Sequence, residues 1–173
     1  MKSDYTNYSF FFALLLLLTG CSTTTIYLVR HAEKAQVPAN DPPLSTQGQQ
    51  RAQVLADSLR NKNIGVIYST NTLRTRSTAE PLARELSLPI RPYSPDTLRE
   101  MARYLKSPKA GNALVIGHSN TILPLLDQFP ALHKEKAIPD SDYDNLYRVK
   151  VQKRFLRPQR ITLTEGTYGT KTE

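Results

Sequence analysis

Short apolar runs alternate along this chain with longer segments whose apolar residues recur at helical spacing. The runs are rich in strand-forming residues and cover residues 25–29, 65–68, 89–93, 113–116, 146–151 and 160–163. Between them, apolar residues follow the i, i+3, i+4, i+7 pattern of one helix face in segments 52–59, 79–86, 98–105 and 122–129. Strands that alternate with helices predict an α/β domain, here a three-layer α/β/α sandwich around a mostly parallel six-stranded sheet.

The chain is basic overall, and its charge narrows the choice of partner. Its 173 residues suffice for one domain with a core, and its formal net charge of +8 favours anionic partners. Six basic residues lie close together with no acid among them: Arg148, Lys150, Lys153, Arg154, Arg157 and Arg160. We interpret them as charges that protect an edge strand, or alternatively as a contact for an anionic substrate or membrane. Because aromatic residues hardly interleave with them, no nucleic-acid partner is expected.

The amino terminus resembles a bacterial lipoprotein signal. Residues 10–18 form an apolar run that is too short to span a bilayer and suits the core of a signal peptide. The residues after it, Leu18-Thr19-Gly20-Cys21, resemble a lipobox, and Cys21 is the sole cysteine. We therefore predict a signal peptide over residues 1–20, a lipidated Cys21 with a short tether over residues 21–24, and one domain over residues 25–173. The alternatives are a stray cysteine after a cleaved secretory signal and an uncleaved anchor.

The predicted cellular location follows from this lipid anchor. Two or more acyl chains on one cysteine hold a protein stably at a membrane. The chain is therefore expected to be a cell-envelope lipoprotein that faces the periplasm, and Ser22 after the cysteine favours the outer membrane by resemblance to lipoprotein sorting. The membrane is thus a predicted partner through the lipid anchor.

Two of the strand-like runs end abruptly in a histidine. The first reads Leu28-Val29-Arg30-His31 and the second Val115-Ile116-Gly117-His118. Ligands of open α/β sheets bind at the carboxyl ends of the strands. A third segment places Arg74 at a helix start, where free backbone N–H groups and a forked guanidinium suit a phosphate. These features predict a phosphate site with a histidine nucleophile, at the end of the first strand opposite the anchor.

Four short motifs, in order, resemble elements of one known family: Arg30-His31-Ala32, Leu44-Ser45-Thr46-Gln47-Gly48, Arg74-Thr75-Arg76-Ser77-Thr78-Ala79 and Gly117-His118-Ser119-Asn120. The family is the histidine phosphatase superfamily, which includes cofactor-dependent phosphoglycerate mutases and short phosphohistidine phosphatases. The resemblance runs from about Thr25 to Gly169. It implies a phosphoglycerate mutase-like fold.

The resemblance also implies a role for each matching residue. His31 would attack phosphorus and carry the phosphoryl group, while Arg30, Arg74 and His118 would hold the phosphoryl oxygens. His31 must be neutral, so a backbone acceptor is expected on its other ring nitrogen, whereas His118 can act as a charged donor. The expected reaction is hydrolysis of a phosphomonoester or phosphohistidine, on a small molecule or a protein, with no cofactor and no metal.

The chain departs from the family pattern at the proton donor for the leaving group. Mutase-like members place a glutamate after the third strand, and this chain has none there. Asp96 and Glu33 are the candidate acids, although Asp96 could instead complement a helix dipole and Glu33 could be a salt-bridge partner. A phosphohistidine substrate would need no acid. The short domain leaves no room for a large cap, which favours a phosphatase over a mutase. The alternative is a catalytically silent phosphate-binding or sensor module of the same fold.

Overall fold

A six-stranded mixed sheet forms the centre of this computed structural model, which describes residues 22–107, 109–134, 136–154 and 156–172. The strands are β1 (Ser22–Arg30), β2 (Ile64–Ser69), β3 (Ile90–Pro92), β4 (Asn112–Gly117), β5 (Asn145–Arg154) and β6 (Arg157–Thr167). Their order across the sheet is β3-β2-β4-β1-β5-β6. The predicted signal peptide and the predicted lipidation site Cys21 lie outside the described residues. Within those residues, no helix combines the length and the hydropathy that a membrane crossing requires.

The sheet is parallel on one side and antiparallel on the other. The pairings of β1 with β4, β4 with β2 and β2 with β3 are parallel, whereas β5 runs antiparallel to both β1 and β6. In the parallel register Arg30 lies opposite Gly117, so the carboxyl ends of β1 and β4 are side by side. This register brings the two histidines that follow those strands to one edge of the sheet.

Within the described residues, four helices cover the two faces of the sheet. They are α1 (Thr46–Leu59), α2 (Leu73–Glu85), α3 (Leu98–Leu105) and α4 (Ser119–Leu126), and a 3-10 turn (Pro95–Thr97) precedes α3. Because successive strand residues point to opposite faces, Val29 packs with α1 and α2 while Leu28 packs with α3 and α4. The predicted three-layer α/β/α architecture is confirmed, and each predicted apolar helix stripe lies against the sheet.

Three strands, β1, β5 and β6, are markedly longer than the sequence pattern predicted. β1 begins at Ser22, where the prediction placed a tether, and Ser22 pairs with Lys153. The β5–β6 hairpin continues to Arg154 and resumes at Arg157. Basic residues hid the extension of the hairpin because charged side chains on an exposed edge give no apolar alternation. The extension of β1 is the polar segment Ser22-Thr23-Thr24, which gives no such alternation either. The tether is therefore part of the sheet, and Cys21 directly precedes β1.

Candidate active site

A cleft of about 490 Å³ opens at the carboxyl ends of β1 and β4. It is lined by Arg30, His31, Lys34, Arg74, His118, Ser119, Asn120 and Asp140. A larger cavity of about 700 Å³ lies along α2 and β3, and it contains neither histidine. We place the candidate site in the smaller cleft because the four residues that the motifs single out, Arg30, His31, Arg74 and His118, all line it.

The ring of His31 is fixed in one orientation by its own strand end. Its backbone N–H donates to the carbonyl of Gly117 at 2.9 Å, and its ring Nδ1 lies 2.8 Å from the carbonyl oxygen of Ala32. A carbonyl can only accept, so Nδ1 carries the hydrogen and Nε2 keeps its lone pair. The predicted backbone acceptor is therefore present. It leaves Nε2 as the nitrogen available for attack on phosphorus.

The arginine motif on α2 also holds the backbone beside His31. The hydroxyl of Thr78 accepts a hydrogen bond from the backbone N–H of Ala32 at 3.0 Å and donates to the carbonyl of Arg74 at 2.8 Å. Arg74 and Thr78 are four residues apart and lie on the same side of the helix. One turn of α2 thus contributes a cation to the cleft and a support for the nucleophile's strand end.

The two motif glycines allow close contacts that a side chain would block. A Cβ at Gly48 would overlap the carbonyl oxygen of Glu33, where the start of α1 rests against the segment after His31. A Cβ at Gly117 would overlap the hydroxyls of Thr121 and Tyr93, directly below His118. These close approaches explain why the motifs carry glycine at both positions. Each approach packs the backbone against a segment that carries a histidine.

Arg30 is a buried cation whose guanidinium is held by the loop before β5. It is 4% exposed, and it donates to the carbonyl of Pro139, to the carbonyl of Asp142 at 3.2 Å and to the Asp140 carboxylate at 3.2 Å. The guanidinium lies 4.6 Å from the centroid of the Tyr143 ring. Its Nε–H is buried and finds no hydrogen-bond partner among the described residues, so this donor is unsatisfied.

Arg74 and His118 contact each other across the cleft. The Nη2 group of Arg74 lies 3.4 Å from Nδ1 of His118, and because arginine can only donate, Nδ1 is the acceptor. The Nε2–H of His118 then donates to the hydroxyl of Thr70 at 3.1 Å. Arg74 also faces the Asp41 carboxylate at 3.4 Å, and its buried Nε–H has no partner within the described residues. His118 is therefore held as the neutral ring.

The pKa values of the two histidines are lowered by the same surroundings. Burial, and then the charges of Arg30 and Arg74, lower the pKa of His31 to about 3, although the Ala32 carbonyl opposes the shift. Burial and the nearby Arg74 lower the pKa of His118 to about 4. His31 is thus neutral, as a nucleophile requires. His118, which we expected as a charged donor, is neutral in the open cleft because burial, and then the charges of Arg74 and Arg30, lower its pKa.

These lowered pKa values predict a loss of stability in mild acid. In the unfolded chain a histidine takes up a proton near its ordinary pKa of about 6.5. The folded state resists that proton, so the stabilisation is present above about pH 6.5. It decreases as the pH falls towards about 4 for His118 and about 3 for His31. We expect the free energy of unfolding to fall by about 2 kcal/mol from His31 alone between about pH 7 and about pH 5. Urea unfolding at both pH values measures it.

The control for this prediction is the double variant His31→Asn, His118→Asn. Neither asparagine titrates, so the variant should lose less stability over the same pH interval, while its carboxylates contribute as before. An equal loss in the wild type and the double variant would contradict the assigned pKa shifts.

The two candidate acids lie outside the cleft. Both oxygens of the Glu33 carboxylate accept from Nε of Arg51, at 2.8 and 2.9 Å, and Arg51 donates onward to the Tyr168 carbonyl. Glu33 therefore forms a structural ion pair with Arg51, and Arg51 ties α1 to the carboxyl-terminal segment. Asp96 is exposed in the 3-10 turn, where its backbone N–H donates to the Ser94 hydroxyl at 3.2 Å. Ser94 is the cap of that turn, and Asp96 lies in its first turn, the position for the alternative role of complementing a helix dipole.

Several cleft residues carried no signal in the sequence. Asp140 and the Arg30-binding carbonyls lie in an irregular loop between α4 and β5, where no periodic pattern predicts a structure. Thr70 follows β2, and its role depends on the ring orientation of His118. Lys34 stands in the first histidine segment, but nothing in the pattern places it at the cleft. Over the described residues, no group of three or more His, Cys, Asp or Glu side chains is arranged to hold a metal ion.

Part of the chain matches the sequence profile of a known protein family. The profile described as "Histidine phosphatase superfamily (branch 1)" matches residues 26–104. Over this segment the chain is similar to the histidine phosphatase superfamily. The matched segment contains Arg30, His31 and Arg74, and it ends before His118. No curated protein matches the chain significantly.

Solved structures with a similar fold include two phosphatases. The structure of the protein histidine phosphatase SixA complexed with tungstate matches with a TM-score of 0.62 and 17% sequence identity, covering 83% of this chain and 96% of that chain. The native structure of a mycobacterial glucosyl-3-phosphoglycerate phosphatase matches with a TM-score of 0.59 and 12% identity, covering 75% of this chain and 91% of that chain. At these identities the similarity concerns the fold alone.

Proposed function

We propose that this protein is a metal-independent phosphatase that hydrolyses phosphomonoesters or phosphohistidine through a covalent phosphohistidine on His31. One observation carries the proposal most directly. The Nδ1–H of His31 is bound to the Ala32 carbonyl, so its free Nε2 belongs to a cleft that Arg30, Arg74 and His118 also line. A nucleophile beside two fixed cations is what phosphoryl transfer requires, since its catalysis consists mainly of positioning and charge stabilisation.

The proposed reaction has two displacement steps. In the first, Nε2 of His31 attacks phosphorus, a P–N bond forms to His31, and the bond from phosphorus to the leaving group breaks. The leaving group takes its proton from solvent. In the second step a water attacks phosphorus, the P–N bond to His31 breaks with its electron pair returning to Nε2, and inorganic phosphate leaves after the water has lost a proton. Arg30 and Arg74 hold the phosphoryl oxygens throughout.

His118 changes its charge during this cycle. It is neutral in the open cleft because burial and Arg74 lower its pKa. A phosphoryl group brings about two negative charges next to the ring, and these favour the protonated form. Nδ1, which now accepts from Arg74, then becomes a donor to a phosphoryl oxygen. The expected charged role of His118 is therefore a property of the loaded site.

The leaving group is the main guide to the substrate. Among the described residues that line the cleft, Asp140 is the single carboxylate, and it forms an ion pair with Arg30. An alkoxide leaving group needs a proton donor, whereas an imidazole is far less basic and departs with a proton from water. This favours phosphohistidine, or a phosphoester whose leaving group is weakly basic.

A binding module without turnover is the second candidate. It is favoured by the carboxylates that already occupy both arginines, Asp140 on Arg30 and Asp41 on Arg74. In such a module phosphate would displace the carboxylates without chemistry. The test is turnover by the purified full chain with a phosphohistidine substrate and with p-nitrophenyl phosphate, together with alkaline quenching of a radiolabelled reaction to trap phosphohistidine. Phosphate binding without turnover or label would support the module and overturn the enzyme.

The Asp140 carboxylate and a bound phosphate would compete for Arg30, and this competition can be tested. Replacing Asp140 with asparagine removes a negative charge from the cleft and frees one guanidinium edge. We expect inorganic phosphate to inhibit or bind about three- to fivefold more tightly, since exposed ion pairs contribute modest energies. Competition titration with phosphate measures this. Asp127→Asn is the control, because Asp127 pairs with His133 away from the cleft. Weaker phosphate binding by Asp140→Asn would contradict the competition.

The predicted lipid anchor remains part of this proposal. Cys21 directly precedes β1, and β1 extends over nine residues, or about 30 Å, to the cleft. A lipid on Cys21 would therefore hold the cleft away from the membrane, towards periplasmic substrates. Cell fractionation of the Cys21→Ser variant, with metabolic labelling of lipid, tests the attachment.

A further inference from the structure

We propose that the tip of the β5–β6 hairpin is a docking surface for a membrane that contains anionic lipids. This surface, the basic hairpin tip, consists of Lys150, Lys153, Arg154, Leu156, Arg157 and Arg160. The proposal concerns a part of the molecule remote from the cleft, and it does not depend on the phosphatase activity. Four observations support it: the charge, an exposed leucine, the backbone at that leucine, and the place where the amino-terminal segment joins the sheet.

The charges of the basic hairpin tip are concentrated and unneutralised. Arg154 lies opposite Arg157 and Gln152 opposite Arg160, so cations from both strands share the end of one narrow hairpin. Lys150, Arg154, Arg157 and Arg160 are exposed, and residues 145–164 contain no acid. Within the described parts of the chain, none of these cations takes part in an ion pair. A cluster of this kind attracts an anionic surface over a Debye length of about 10 Å.

The turn of the hairpin adds an apolar side chain among the cations. Leu156 is 89% exposed, and it adopts a positive φ of 55°. Glycine or asparagine suits this backbone region, and a leucine there is unusual. Protection of an edge strand by charge accounts for the lysines and arginines, but it gives no reason for an exposed leucine at a strained position. Apolar side chains flanked by Lys and Arg are typical of protein surfaces that sit at a lipid interface.

The chain that precedes the domain emerges beside this tip. Ser22 is the first residue of β1, and it pairs with Lys153. The chain therefore enters the sheet at the end where the hairpin turns. The residues before Ser22 include the apolar run 10–18 and Cys21, both of which suit a membrane. The cleft lies at the other end of β1, about 30 Å away. A bilayer at the tip therefore leaves the cleft accessible, and one membrane could receive the amino-terminal segment and the tip together.

The test uses the full chain carrying Cys21→Ser, so that no acyl chain contributes. The variant is mixed with vesicles of phosphatidylcholine alone and with vesicles that also contain phosphatidylglycerol, and the bound fraction is measured by flotation. We expect stronger binding to the anionic vesicles, and we expect added salt to weaken it. Each basic residue near an anionic surface contributes about fivefold to partitioning. The combined variant Lys153→Gln, Arg154→Gln, Arg157→Gln, Arg160→Gln should therefore lose at least about tenfold on anionic vesicles and little on neutral ones.

A charge-matched control separates the tip from the net charge. The combined variant Arg76→Gln, Arg84→Gln, Arg91→Gln, Arg103→Gln removes the same number of positive charges from other surfaces, and it should retain the binding. Leu156→Ser should weaken binding to anionic vesicles while the net charge stays the same. An equal loss in both charge variants, or no preference for anionic vesicles, overturns the proposal. Tighter binding of the tip to duplex DNA than to anionic vesicles at the same salt overturns it as well. Far-ultraviolet circular dichroism confirms that each variant is folded.

Discussion

Replacing His31 with alanine is expected to abolish turnover while leaving phosphate binding largely intact. The proposed chemistry needs a lone pair at Nε2, and alanine offers none, so kcat should fall by at least about 10⁴-fold, as losses of catalytic nucleophiles do. Arg30, Arg74 and His118 stay in the cleft and can still hold inorganic phosphate. The radiolabelled phosphohistidine that alkaline quenching traps in the wild type should disappear. Stopped assays with a phosphohistidine substrate and phosphate titration measure the two effects separately.

The chain offers a matched control for this experiment. His133 is the third histidine, and its Nε2 pairs with Asp127 at 2.9 Å, outside the cleft. His133→Ala should keep both turnover and label. A covalent phosphohistidine that persists in His31→Ala would place the nucleophile elsewhere. Full turnover without any label would instead favour direct attack by water, with His31 as a base.

The two histidines and two arginines of the cleft could be predicted because topology brings them together. His31 and His118 follow β1 and β4, and these strands are parallel neighbours, so their carboxyl ends must meet. Arg74 stands in the first turn of α2, which follows β2 on the other side of β4. The alternation of strands and helices, together with the position of each residue in its element, was enough to predict that these four residues meet. No side-chain detail was needed for this part of the site.

The ionisation state of the site and its carboxylates could not be predicted in this way. The charge of His118 depends on burial and on an arginine 44 positions earlier in the chain, which no local pattern encodes. Glu33 follows His31 by only two residues, yet its carboxylate turns towards Arg51 of α1. Asp140 approaches Arg30 from a loop 110 positions later. These contacts are made by loops and by side-chain direction, and periodicity carries no information about either.

The carboxylates and the arginines of the cleft together suggest how the open site is stabilised. Two fixed cations close together would repel each other in an empty cleft, at a cost that falls with exposure to solvent. Asp140 and Asp41 each face one arginine, and both are more exposed than their partners. Exposed carboxylates can move away when a phosphoryl group enters, whereas Arg30 stays in place because loop carbonyls hold it. On the proposed function, a phosphoryl group would thus replace the two carboxylates beside the arginines.

Arg74 should be the cation whose geometry matters most for catalysis. Lysine keeps its charge but replaces the forked guanidinium by a single ammonium, so Arg74→Lys should lower kcat/KM by about 100-fold, as the loss of one oxyanion donor does. Arg74→Met also removes the charge and should lower kcat/KM further. Steady-state kinetics with one substrate across the series measures both. Arg76 is the matched control, since it lies two residues further along α2 and lines the other cavity.

The pH profile separates a catalytic role of Arg74 from a structural one. The charge of Arg74 lowers the pKa of both His31 and His118, so its removal should raise both pKa values towards the ordinary one. Protonation of His31 would then begin at a higher pH, and the acid limb of kcat/KM should move upward in Arg74→Met. Arg74→Lys keeps the charge and should keep the acid limb near its wild-type position. A variant that merely destabilised the fold would lose activity at every pH without moving the acid limb. An equal effect from Arg76→Met would show that Arg74 has no special role at the phosphate site.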